Sequence, residues 1–235
     1  MTIRDIPGRA NDEPGTALYR HFGHETFRAG QEDVVRAVLA GHDVLAVMPT
    51  GSGKSIGYQL PALLLRGMTL VVSPLIALMK DQVDELTRRG IRAAALHSGR
   101  TFDERDAAVR AARAGELDLL YVAPERFASE RFRELLAGVP LGLFAVDEAH
   151  CVSEWGHDFR PDYRMLAAAS RACLRADGGT GRPPVAAFTA TATPEVRQDI
   201  VALLDLADPD VFVAGFDRPN IHLDVRPIEV GLLYK

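Results

Sequence analysis

The stretch from Asp43 to Ser55, Asp-Val-Leu-Ala-Val-Met-Pro-Thr-Gly-Ser-Gly-Lys-Ser, restricts the possible folds more than any other part of the chain. Val44 to Met48 has the length and composition of a buried strand. A proline and two glycines follow, then Lys54-Ser55, then a helix-like segment from Ile56 to Leu65 that Gly67 stops. In that order the glycines let backbone N–H groups turn toward an anion, and the helix N-terminus adds partial positive charge. Thr50, Gly51, Ser52 and Gly53 would line such a cradle, Lys54 would reach the β- and γ-phosphates, and the Ser55 hydroxyl would ligate Mg²⁺. The full phosphate-loop pattern has a glycine where this chain has Met48, which leaves Gly-x-Gly-Lys-Ser. The competing reading is a flexible strand-to-helix turn with an exposed lysine. The flanking strand and helix favour the nucleotide.

The rest of the chain repeats the strand–helix alternation. Short helices are expected over Thr16–Phe22 and Gln31–Ala40. Strands follow at Thr69–Ser73, Ala93–Leu96, Asp118–Val122, Leu141–Val146 and Val185–Thr189. Between them fall helices at Pro74–Leu86, from the Thr101-Phe102-Asp103-Glu104 capping box to about Ala114, and at Glu125–Ala137. A polar and aromatic stretch runs from Asp147 to Tyr163, then a helix to about Arg175, then a glycine- and proline-rich loop over Asp177–Pro184 that reads as mobile. Thr193 caps a helix that begins at Pro194 and reaches Leu204, and Val211–Phe216 and Ile221–Val225 read as closing strands. Such alternation predicts an α/β fold, a mostly parallel sheet with helices on both faces and ligands beyond the carboxyl ends of the strands.

Composition excludes some classes of function. No apolar run approaches the roughly 20 residues that span a bilayer, and no membrane partner is expected. Cys151 and Cys173 form neither a metal pattern nor a disulfide framework, so a reducing, cytoplasmic setting fits. A net charge of −5 means that any nucleic-acid site must be a local patch.

Chemistry-bearing residues cluster at the strand ends. Leu141 to Val146 delivers Asp147-Glu148-Ala149-His150, where an acidic residue suits the hold on Mg²⁺ beside a phosphate loop and its neighbour suits a base that orients water. Acidic residues at strand ends also cap helices. Thr189-Ala190-Thr191-Ala192-Thr193 can relay hydrogen bonds between nucleotide and neighbouring loops, or serve as strand residues and a helix cap. Trp155, Phe159 and Tyr163, interleaved with Glu154, Asp158 and Arg160, offer either stacking platforms for unpaired bases or rings buried under their own loop.

Taken together, Thr50 to Ser55, Ser73 to Gln82, Asp147 to Cys151 and Thr189 to Ala192 resemble superfamily 2 helicases. The run from Asp147 to Tyr163, with Trp155-Gly156-His157-Asp158-Phe159-Arg160-Pro161, is closely similar to the RecQ family of DNA helicases, as is Phe216-Asp217-Arg218-Pro219-Asn220-Ile221. RecQ-like phosphate loops carry a methionine where Met48 stands. The resemblance implies a RecA-like P-loop NTPase domain over residues 15–216, a flexible lead-in over 1–14, and over 217–235 the start of a connection to a second RecA-like domain not present in the chain. It implies ATP and Mg²⁺ as cofactors, adenine contacts from Arg28 and Gln31, and stacking by His24, where the family commonly has an aromatic ring. It implies Lys54, Asp147 and Glu148 as catalytic residues, with Ser55 and Asp147 on the metal. Trp155, Phe159, Arg160, Lys80 and Arg126 would meet DNA, single-stranded or forked, and His150, Thr189 and Thr191 would couple DNA to hydrolysis.

The expected protein is thus the ATP-binding motor domain of a 3′-to-5′ DNA helicase, weakly active in isolation. The rival readings are an RNA-unwinding ATPase, a phosphate-loop kinase of small molecules, and a nucleotide-binding module without turnover. One consequence concerns Gln31, whose amide can offer a donor and an acceptor to the adenine edge. Gln31→Ala should raise the KM for ATP and narrow the preference for ATP over GTP. An unchanged ATP:GTP preference in steady-state kinetics would make Gln31 structural.

Overall fold

The computed structural model describes residues 12–214. The Phe216–Ile221 motif and the expected strand over Ile221–Val225 lie outside the described residues. The first helices are α1 (Pro14–Phe22), with a proline in its first turn, and α2 (Gln31–Leu39). The sheet is built from β1 (Val44–Val47), β2 (Met68–Val72), β3 (Ala93–Leu96), β4 (Leu119–Val122), β5 (Pro140–Val146), β6 (Leu174–Arg175), β7 (Val185–Thr189) and β8 (Asp210–Val213). Its order is β3-β4-β2-β5-β7-β1-β8, with β6 paired to β5, and every described pairing is parallel. The central strands are buried throughout, as an all-parallel sheet covered on both faces requires.

Alternate strand residues feed two cores. Val44, Ala46 and Val71 pack with α1, α2 and α5 (Ile76–Arg88), through Leu18, Val34, Val38, Met79 and Val83. Leu45, Val47, Leu70 and Val146 pack against α6 (Phe102–Arg113), α7 (Glu130–Ala137), α8 (Leu166–Arg171) and α9 (Pro194–Leu203), through Ala112, Phe132, Leu166 and Ile200. Thr101 and Glu104 form the expected capping box on α6, and Thr193 caps α9 by accepting from the Val196 N–H.

Three expected helices are interrupted. The segment after the glycine loop is two single turns, α3 (Ile56–Gln59) and α4 (Pro61–Leu64), because Pro61 has no N–H to continue the ladder. The expected Glu125–Ala137 helix is a 3₁₀ turn over Pro124–Ala128 and then α7, separated by extended Ser129. The expected helix to Arg175 divides into a 3₁₀ turn over Pro161–Met165, α8, and the strand β6. β5 starts before its pairing with β7 begins at Phe144, and the exposed edge of Pro140 and Leu141 takes Leu174 and Arg175 as partners.

The loop over residues 177–184 has no regular structure, but it is pinned where mobility was expected. Arg182 grips the Asp43 carboxylate with two bonds, Nη1–Oδ1 at 2.9 Å and Nη2–Oδ2 at 2.5 Å. Asp43 also accepts from the Val185 N–H (2.8 Å) and the Ala207 N–H (2.7 Å), so one side chain joins the amino ends of β1 and β7 to the turn before β8. Burial alone would raise the Asp43 carboxyl, but Arg182 and the two N–H donors outweigh it and hold the group below its ordinary value. A depressed folded-state pKa stabilises the fold above the ordinary aspartate range, and that contribution is lost as pH falls through the folded value. Asp43→Asn leaves Arg182 without its counter-charge in a site where both side chains are largely buried. Urea unfolding at neutral pH should show a loss of about 3–5 kcal/mol, with weaker acid sensitivity than the parent below about pH 4.

Candidate functional site

β5, β7 and β1 are neighbours in the sheet, so their carboxyl ends bring Asp147-Glu148, Thr189–Thr191 and the glycine loop together at one edge. Met48 extends β1 by donating its N–H to the Thr189 carbonyl (2.9 Å), and its side chain is buried in the core, 2% exposed. A side chain is therefore accommodated at this position because it points into protein rather than toward the loop's concave side. Gly51 and Gly53 have φ of 83° and 81°, in the left-handed region. A Cβ on Gly53 would also come within 2.5 Å of Gln31 Nε2. Ser55 precedes α3 and makes no capping bond of its own, and the buried Ser52 hydroxyl has no partner.

Opposite the loop stand the two carboxylates. Asp147 is buried, and burial first, then the charge of Glu148, push its carboxyl up to about 6, against the pull of Lys54. It accepts the Glu148 N–H (3.0 Å), while Glu148 takes a left-handed backbone with φ 47°. Lys54 Nζ lies 3.4 Å from Glu148 Oε1, and His150 Nδ1 lies 3.4 Å from Glu148 Oε2. His150 Nδ1 is also 2.9 Å from Thr189 Oγ1, which itself donates to the Thr191 carbonyl at 3.1 Å. The hydroxyl has one hydrogen and spends it on that carbonyl, so the proton between His150 and Thr189 sits on Nδ1. Burial and then the neighbouring His157 push the His150 pKa down, which favours the neutral ring.

The expected adenine contacts are divided. His24 is exposed in the loop after α1. Arg28 Nη1 donates to the Gly51 carbonyl at 2.5 Å. Gln31 is buried, accepts the Arg28 N–H (2.8 Å), and donates to the carbonyls of Ser52 (2.9 Å) and Gly53 (3.1 Å). The Gln31 Nε2 thus braces the phosphate loop while its Oε1 holds the Arg28 backbone, a second role that its sequence position did not disclose.

The aromatic stretch separates into exposed and buried rings. Trp155 is 81% exposed, and its N–H donates to Ser153 Oγ, whose hydroxyl is anchored on Asp199 of α9 at 2.6 Å. Gly156 makes this path possible, since a Cβ there would meet the His150 carbonyl at 2.3 Å. Phe159 is half-buried beneath the Arg164 guanidinium, 5.2 Å from its ring centre. Tyr163 is fully buried and donates its hydroxyl to the Asp147 carbonyl (3.0 Å), so for this ring the buried alternative holds. Arg160 pairs with Asp158 at 2.9 Å and reaches the Pro74 carbonyl at 3.5 Å. Lys80 is exposed on α5 and pairs with Asp84, whereas Arg126 is half-buried against Phe132. Sequence reasoning gave no role to His157, which stacks on His150 with centroids 4.1 Å apart and 19° between planes. Its place in the quoted Trp155–Pro161 run was the available signal. A cleft of about 440 Å³ joins these parts, lined by Thr50, Leu75, Glu148, His157, Asp158 and Thr191.

Comparisons with known proteins give the family. The family model "DEAD/DEAH box helicase" matches residues 28–200. The chain is 47% identical over 204 residues to "ATP-dependent DNA helicase RecQ" of Pasteurella multocida, covering 87% of this chain and 31% of that protein. It is 46% identical over 210 residues to "Probable ATP-dependent DNA helicase RecS" of Bacillus subtilis, covering 89% of this chain and 40% of the relative. The chain thus spans well under half the length of these relatives. Among solved structures, a hypothetical ATP-dependent RNA helicase from Sulfolobus tokodaii superposes with a TM-score of 0.63 at 23% identity, covering 87% of this chain and 57% of that one. The DEAD-box helicase Mss116 bound to single-stranded RNA and UDP-BeF gives 0.66 at 18% identity over 88% of this chain and 43% of that one, a likeness of fold. The chain belongs to the DEAD/DEAH box helicase family, and relatives it matches across most of its length at 44–47% identity include RecQ helicases.

Proposed function

We propose that this chain is the ATP-binding motor domain of a RecQ-type, 3′-to-5′ DNA helicase that couples ATP hydrolysis to movement on single-stranded DNA and opens forked duplexes in the cytoplasm. The observation that carries the reading is the position of Glu148. It lies 3.4 Å from the phosphate-loop lysine on one side and 3.4 Å from His150 on the other, and His150 stacks on the loop that exposes Trp155. A single carboxylate thus touches both the nucleotide apparatus and the start of the aromatic loop.

In this reading Thr50 to Gly53 wrap the phosphates with backbone N–H groups, and the unpartnered Ser52 hydroxyl supplies a further donor. Lys54 leaves Glu148 for the β- and γ-phosphates, which frees Glu148 to orient the attacking water. Arg28, Gln31 and His24 receive the adenine, and Gln31 exchanges its loop carbonyls for the base edge. The residues also fit Mg²⁺. Ser55 and Asp147 offer only oxygen donors, which suits an ion that takes one or two carboxylates and completes its shell with phosphate and water. No cluster of three or more acidic, His or Cys ligands occurs among the described residues, and none is needed for this type of site. An ion held there by Ser55 and Asp147 would supply positive charge beside the phosphates. Trp155 and Phe159 stack on bases, Arg160, Lys80 and Arg126 follow the backbone, and His150, Thr189 and Thr191 transmit the loop's state to Glu148.

Two sets of variants test the reading. Glu148→Gln should keep nucleotide affinity and lose at least about a hundredfold in turnover, whereas Lys54→Ala should weaken binding and turnover together. Near-normal turnover in Glu148→Gln would overturn its assignment. Trp155→Ala should leave the melting temperature and the DNA-free ATPase rate unchanged while stimulation by single-stranded DNA collapses. Stimulation by single-stranded RNA instead of DNA would favour an RNA-unwinding enzyme.

A further inference from the structure

A chain of buried polar side chains lies beneath the nucleotide site and plays no part in the chemistry above. Tyr58 and Gln59 sit on α3, directly after the Lys54-Ser55 pair; both are buried, at 2% and 6% exposure. The Tyr58 hydroxyl faces Ser55 on one side and the Tyr121 hydroxyl of β4 on the other, with the two rings edge to face at 6.4 Å. Gln59 Nε2 donates to Tyr121 Oη at 2.9 Å and, with its second hydrogen, to Gln82 Oε1 on α5. Burial pushes both tyrosine pKa values up, so both phenols keep their protons and their donors. Gln59 also donates its backbone N–H to the Ser55 carbonyl at 2.8 Å, so one residue ties Ser55 to α5.

α5 otherwise rests on the sheet through Met79, Val83 and Leu86, and Arg89 at its C-cap donates to the Phe22 carbonyl at 3.0 Å. Its approach to the site carries Leu75 and Ile76, 43% and 37% exposed, and exposed Lys80. Gln82 is the point at which α5 is tied by direction-dependent bonding to the element that follows the phosphate loop. Apolar residues would hold two elements together as well as a buried polar network does, and a partly satisfied network is worse than none. A polar chain at this place restricts where α5 can sit for a given position of Ser55.

We infer that Gln59 and Gln82 are positioning residues that transmit the nucleotide state of the phosphate loop to α5, and so set how tightly the Leu75–Lys80 stretch holds single-stranded nucleic acid. The inference rests on the proposed reading of that stretch as a nucleic-acid contact. It is a statement about linkage: each ligand must change the other's affinity by the same factor, whatever each binds alone.

The test is a binding cycle on the chain, with Mg·AMPPNP as nucleotide and a fluorescent oligo-dT strand as nucleic acid. In the parent protein, saturating AMPPNP should change oligo-dT affinity by about fivefold or more, within the usual range of coupling between sites. Gln82→Leu should reduce that factor to less than about twofold while each ligand's separate affinity stays within about twofold of the parent. Gln82→Glu keeps an acceptor for Gln59 Nε2 at a half-buried position and should restore the factor. Coupling undiminished in Gln82→Leu would overturn the inference. So would a parent that binds both ligands independently, or a Gln82→Leu variant that melts early and loses both affinities together, which marks a packing role. A parent that binds AMPPNP and no oligo-dT defeats the nucleic-acid reading itself, and the inference with it.

Discussion

All-parallel pairing is the constraint on which the rest depends. It sends every strand in one direction, so each carboxyl end emerges at one edge and each amino end at the other. At the carboxyl edge, backbone turns are free to aim groups at a ligand, and the glycine loop, Asp147-Glu148 and Thr189 converge there. At the amino edge the chain must only be fastened, and Asp43 does so with Arg182 and two backbone donors. Stability and chemistry are thus placed at opposite ends of the same strands. Substitutions at one end need not disturb the other.

Electrostatics at the carboxyl edge are arranged around two adjacent acids in unequal surroundings. Asp147 is buried, where burial and its neighbour's charge favour the neutral form, and a cation close by would restore the carboxylate. Glu148 stands between a lysine and a neutral histidine whose proton position is dictated by Thr189 and Thr191. The one Nδ1 hydrogen of His150 lies between two acceptors, the Thr189 hydroxyl at 2.9 Å and the Glu148 carboxylate at 3.4 Å, so its direction can change without any large displacement of the backbone.

The sheet was legible because glycines punctuate the chain where helices end, and because short apolar runs with helices between them have few alternatives to a parallel fold. Met48, Thr101 and Thr193 illustrate how far local chemistry reaches: two are caps readable from their neighbours, and the third is explained by the strand it extends. Legibility failed where a distant partner decides the outcome. β6 exists because β5 leaves two residues of edge unpaired, whereas the Pro61 break was a local signal that the continuing apolar pattern masked. Composition could not tell exposed Trp155 from buried Tyr163, since the difference is made by Ser153 reaching Asp199 and by the space at Gly156. The Gln59–Gln82 bond joins residues that no periodicity relates.

The backbone of Glu148 has a consequence of its own. With φ of 47°, a residue that bears a Cβ holds a left-handed bend at a cost of order 1–3 kcal/mol, and the bend is kept by the Cys151 N–H on its carbonyl and by Asp147 on its N–H. The carboxylate is therefore aimed by the main chain as well as by its own rotamer. Changes at this position divide into two kinds of damage. A shorter acid inherits the same bend and points correctly but falls short. Glycine or asparagine, at ease in the left-handed region, would hold the bend at lower cost and leave His150 and the aromatic loop in place, but without the acid.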